Sequence, residues 1–135
     1  MANQYQNFED WKRKIAAIAY ENNYILWDFS GYNTITTEPV KTPMKFYWDS
    51  SHVKENVGDY ILNRLLNKSD DQNIPKDFGT KINPSNIDQH LAIVKQKRKQ
   101  YLDSNRESIK RTHKLIKNAL SGGELDPDTR QGIFK

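Results

Sequence analysis

The sequence predicts an α/β fold, and within that class the closing part of a doubly wound domain. Three observations carry this. Residues 8–21 place apolar side chains at helical spacing, and residues 24–29, YILWDF, follow as a nearly continuous apolar run of strand length. A loop broken by Pro39 and Pro43 then leads into FYWDSSH at 46–52 and a second amphipathic helix. Helix, buried strand, loop and helix is the order in which such a domain closes, and buried strands of this kind belong to parallel sheets with helices on both faces. In those folds ligands bind beyond the carboxyl ends of the strands, within reach of the segment that follows residue 29.

Each element has a local justification. Asn7 is placed to cap the first helix, with Asp10 at N3. Phe8, Trp11, Ile15, Ile18 and Ala19 form its apolar stripe, and Lys12, Arg13 and Lys14 lie off it. Asn22 and Asn23 end the helix, because Asn tolerates the left-handed conformation of a C-cap. Ser30-Gly31-Tyr32-Asn33 breaks the strand. In the second helix Val57, Ile61 and Leu65 share a stripe, with Leu62 and Leu66 beside it.

One strand is not a sheet, since its backbone groups need partners on both sides if it is buried. No second strand is legible in the sequence. A homodimer that pairs strands edge to edge would supply one. A chain that forms the back part of a larger domain, its N-terminal part elsewhere, explains more. The expected organisation is therefore a partial α/β domain over 1–67, a polar linker over 68–84 with Pro75, Gly79 and Pro84, a long basic helix over 85–120, and a flexible tail over 121–135. Ser85 and Asp88 are placed to open the long helix. Unbroken, it would run about 50 Å, but its apolar spacing fails at Arg98 and around Asn105, which argues against a sustained coiled coil.

The chemistry is concentrated at Asp49 and His52. An acid and a His three apart, where the chain turns into a helix, can meet side chain to side chain. The carboxylate then accepts the Nδ1–H, fixes the tautomer and leaves Nε2 as a general base. Set against this are plainer roles, Asp49 as a helix N-cap and His52 as a flanking residue. Ser50 and Ser51 are too close in sequence to approach His52 as nucleophiles, and Ser30 lacks an elbow motif around it.

At Trp48-Asp49-Ser50-Ser51-His52 the chain resembles the D-x-x-H block of the SGNH (GDSL-like) hydrolases. Residues 27–33, WDFSGYN, and the helix with Gly58 and Ile61-Leu62 look like one bacterial subgroup of that family, and the resemblance spans roughly residues 8–66. It implies a flavodoxin-like three-layer α/β/α fold and a Ser-His-Asp triad to which Asp49 and His52 contribute. It also implies acyl transfer on an ester, with O-acetylated carbohydrate as the expected substrate, and an envelope-associated parent protein. The family's G-D-S nucleophile block is absent from this sequence, its oxyanion-hole Gly and Asn have no counterpart here, and Gly58 lies one residue further from the His than the commonest spacing. The resemblance therefore implies a hydrolase part that is inactive alone.

Composition bounds the remaining possibilities. With 135 residues, 36% hydrophobic content and a mean hydropathy of −0.92, part of the chain is expected to be solvated. There is no cysteine, hence no disulfide or thiolate metal site. His90 and His113 lack the spacing of a metal pair, and Asp70-Asp71 does not continue into a calcium loop, so neither a metal nor a cofactor is expected. No apolar run reaches the length of a membrane span and residues 1–10 lack signal-peptide character, which places the chain as written in the cytoplasm. The net charge of +4 is concentrated at Lys95–Lys99 (KQKRK) and at Lys110, Arg111, Lys114 and Lys117. The alternative to the hydrolase is thus a non-enzymatic module using the basic helix 85–119 to hold a protein partner or an acidic surface. Trp11, Trp27 and Trp48 are expected in packing and not as a platform for nucleic acid bases.

Overall fold

The computed structural model describes residues 2–40, 43–49, 51–68 and 73–121; of the tail expected over 121–135, residues 122–135 lie outside the described residues. Among these residues the fold is mixed α/β with helices dominant. Four helices, α1 (Ala2–Glu21), α2 (Glu55–Leu65), α3 (Ile87–Ser104) and α4 (Arg106–Leu120), accompany two short strands, β1 (Leu26–Asp28) and β2 (Thr80–Ile82).

The strand expected over 24–29 is shorter, and its partner corrects the parallel-sheet expectation. β1 pairs antiparallel with β2, in the register Leu26 with Ile82, Trp27 with Lys81 and Asp28 with Thr80. β2 lies inside the segment the sequence marks as linker. Its three residues become a strand by pairing with β1, since three residues cannot display an alternation of their own. The helical stretch from 85 is divided at Asn105, where the apolar spacing falters, into α3 and α4.

α1 starts before Asn7 and ends where expected. Asn23 is left-handed (φ 59°), Tyr24 N–H donates to Ala19 C=O at 2.8 Å and Asn23 N–H to Tyr20 C=O at 3.1 Å, the two bonds of a Schellman cap. Asn67 (φ 51°) closes α2 in the same way, through Lys68 N–H to Asn63 C=O at 2.9 Å. The N-cap of α3 is Asn86, not Ser85; in the turn before it the Asn83 side-chain oxygen accepts from Ser85 N–H and Oγ–H, and Asn86 Oδ1 accepts from Asn83 N–H.

The face each helix buries departs from the stripes. In α1, Lys12 and Ala16 are buried, whereas Phe8, Trp11 and Ile18 are exposed. In α2, Val57 and Tyr60 are buried while Leu62, Leu65 and Leu66 face outward. Two small cores result. Ile35, Phe46, Val57, Tyr60, Ile74 and Phe78 pack together under the 30–46 loop, and Ala16, Ile82, Ile87 and Leu91 join α1, β2 and α3. Trp11 and Trp48, expected in packing, are exposed; Trp11 stacks on Phe8 at 5.7 Å and Lys54 Nζ sits 4.7 Å from the Trp48 ring.

The 30–46 loop is ordered by side chains that replace backbone partners. Buried Asn33 accepts from the N–H groups of Ile35 and Thr36, both at 3.0 Å, which folds the chain into a turn. Glu38 accepts from the N–H groups of Lys45 and Phe46. Arg64 donates to Pro75 C=O at 3.1 Å, tying α2 to the segment before β2.

Candidate functional site

Asp49 and His52 sit at the tip of a small hairpin. Tyr47 and Val53 form an antiparallel bridge, Trp48 N–H donates to His52 C=O at 2.8 Å, and Lys54 N–H donates to Phe46 C=O at 2.8 Å. Within this frame the Asp49 carboxylate organises the turn. Its Oδ1 accepts from the N–H groups of Ser51 and His52, both at 2.8 Å, and from Ser51 Oγ at 3.2 Å. Its Oδ2 accepts the His52 Nδ1–H at 2.6 Å. Asp49 therefore caps this turn; the N-cap of α2 is Lys54.

The Ser51 backbone N–H, the His52 ring and the His52 backbone N–H hold the Asp49 carboxyl well below the usual carboxylate range. An ionised Asp49 on Nδ1–H fixes the tautomer with Nε2 as the acceptor. The His52 side chain is 76% exposed and that of Asp49 44%, so Nε2 faces outward. Among the described residues no hydroxyl is bonded to it. Ser51 is bonded to Asp49, Ser50 lies outside the described residues, and Ser30 belongs to a different cluster. Gly58 has nothing within 4 Å of where a Cβ would stand, so close packing does not explain it.

That other cluster escaped sequence reasoning. Asp28, at the end of β1, accepts from Lys12 Nζ of α1 and from His90 Nε2 of α3, the latter at 2.8 Å, both on Oδ2. Its Oδ1 accepts from Ser30 N–H at 2.9 Å and from Ser30 Oγ at 2.7 Å, and Lys12 Nζ reaches Ser30 Oγ at 2.7 Å. The Lys12 and Asp28 side chains are 6% and 8% exposed. Burial pushes the Asp28 carboxyl up, but the bonds from His90, Lys12 and Ser30 outweigh it and hold the group well below the usual carboxylate range. The signal in the sequence was Asp28 itself, an acid inside an otherwise apolar run, which requires buried donors.

The two clusters have different chemical capacities. In the buried one Ser30 Oγ donates a hydrogen bond to Asp28 and accepts one from the Lys12 ammonium, and a carboxylate held this far below its usual range is too weak a base to take the hydroxyl proton. It joins α1, β1 and α3, beside a cavity of about 260 Å³ lined by Ser30, Asn33, Asn86 and His90. The exposed pair has an oriented imidazole with an open nitrogen, the arrangement a general base requires. Among the described residues no group of three His, Asp or Glu side chains is arranged to hold a metal.

Comparison with known proteins supplies no neighbour: no family model, no curated protein and no solved structure matches the chain.

Proposed function

We propose that Asp49 and His52 are the orienting carboxylate and general base of an SGNH-type acyl esterase, and that the chain forms the closing part of its three-layer α/β/α domain. The observation that carries this is the 2.6 Å bond from His52 Nδ1 to Asp49 Oδ2 with Nε2 facing outward. The outward apolar side chains of α1 and α2 support it, since a covering layer would bury them.

In this reading a serine hydroxyl from another segment meets Nε2. As the serine oxygen attacks the ester carbonyl, Nε2 takes its proton and then passes it to the departing alcohol. Water repeats the sequence on the acyl-enzyme. Asp49 keeps the ring in register and stabilises the imidazolium. The expected substrate is an O-acetyl ester of a carbohydrate.

The test is an esterase assay with p-nitrophenyl acetate and an acetylated oligosaccharide. The chain is assayed alone and together with whatever G-D-S-bearing segment its gene neighbourhood encodes. Alone it should give no turnover above buffer. With the nucleophile segment it should turn over, and His52→Ala should remove that activity by on the order of 10⁴-fold or more. Nitrogen-15 NMR of the isolated chain should show the Nδ1–H tautomer of His52, mixed in Asp49→Asn. Turnover by the chain alone that survives Ser30→Ala and is lost in His52→Ala, or activity of the assembly indifferent to His52→Ala, overturns the proposal.

A further inference from the structure

The basic character of the C-terminal half is unevenly available. In α3, Lys97 lies 3.7 Å from Asp77, and the Arg98 guanidinium covers the Tyr5 ring at 4.1 Å. The KQKRK run is thus partly committed to contacts within the fold. α4 is different. Its 15 residues carry Arg106, Lys110, Arg111, Lys114 and Lys117 against a single acid, Glu107. Arg106 pairs with Asp103 and Lys110 with Glu107, each at 2.8 Å. Among the described residues Arg111, Lys114 and Lys117 have no ion-pair partner.

At 100° per residue the cations occupy one arc of α4, and Ile109, Ile116 and Leu120 occupy the opposite side. Ile116 is 51% exposed and Leu120 84% exposed, so among the described residues nothing covers this side near the helix end. Separation of a cationic arc from an outward apolar stripe on a helix of low overall hydrophobicity is the pattern of a helix that lies in a lipid interface. Nucleic acid would use the cations and leave the apolar stripe in water.

We propose that α4 is an interfacial helix that seats this protein on an anionic bilayer, with Lys114, Lys117 and Arg111 on the headgroups and Ile116 and Leu120 in the acyl boundary. Charge complementarity selects the anionic surface, and the exposed isoleucine and leucine select lipid over a purely ionic partner. The helix is about 22 Å long, lies along the surface and does not cross it. The proposal stands independently of the esterase reading.

The experiment is co-sedimentation of the full chain with large vesicles of phosphatidylcholine alone or with 30 mol% phosphatidylglycerol (~30%, enough to set an anionic surface potential). The wild type should pellet with the anionic vesicles and not with the neutral ones. Each cation removed should weaken partitioning roughly fivefold, so Arg111→Gln/Lys114→Gln/Lys117→Gln should lose on the order of a hundredfold. Ile116→Asn, which leaves every charge unchanged, should lose about tenfold through the lost apolar insertion. Circular dichroism of each variant checks that the fold is kept. No pelleting of the wild type at low salt overturns the proposal. So does anionic-vesicle binding indifferent to Ile116→Asn, or tighter binding to a DNA duplex than to the vesicles, either of which would mark α4 as a plain cationic face.

Discussion

At the scale of single residues the polar centre of the molecule is Asp28, whose carboxylate is shared among three elements. Asp28→Ala would strand the Lys12 ammonium in a buried site. Breaking a buried pair from one side costs roughly 3–5 kcal/mol, so the urea midpoint should fall accordingly or the chain should fail to fold. The pH dependence has a definite sign. The folded-state carboxyl is held below its unfolded value, so its contribution is complete above the ordinary carboxylate range and declines as pH falls through that range toward the depressed value. Urea midpoints should drop between about pH 5 and pH 3 in the wild type, and less steeply in Asp28→Asn. Asp49 with His52 was read as a spacing, whereas Asp28, the one acid in YILWDF, was passed over. Lys12 was not legible, because a lysine between Trp11 and Ala16 looks solvated until its partner sixteen residues away is known.

Elements were legible to the extent that local chemistry sets them. The end of α1 at Asn23 and the break at Asn105 follow from residues within a turn of each site. β2 follows from pairing instead, and the device that allows it is Gly79. This glycine has φ +82°, and a Cβ there would stand 2.6 Å from Phe29 Cε1. The Phe29 ring is held between Trp27 at 6.0 Å and Phe78 at 5.1 Å, so it has little room to withdraw. Gly79→Ala should therefore destabilise by on the order of 2–4 kcal/mol, combining the left-handed strain with overpacking. Thermal unfolding monitored by tryptophan fluorescence would measure it. A change below about 0.5 kcal/mol would mean that the close approach of β2 to Phe29 is not maintained in solution.

At the scale of the whole molecule the apolar surface is distributed against expectation. The helical stripes were expected to face a core, yet Phe8, Trp11 and Ile18 of α1, Leu62 and Leu65 of α2 and Leu66 at its end point outward. Periodicity identifies an apolar face but not what covers it. On α1 the Lys12–Asp28 bond decides which side turns inward. Ile18→Lys/Leu62→Lys should then leave the unfolding free energy within about 0.5 kcal/mol of wild type and lower the fluorescence of a bound hydrophobic dye. A loss of several kcal/mol instead would place those side chains in the core. The hairpin tip has the opposite character, since everything that aims His52 lies within residues 46–54. Its ring orientation is set by this segment alone. Under the proposed function an incoming hydroxyl would meet an imidazole already oriented, and the entropy of assembling base and carboxylate would be lost during folding and not during the encounter.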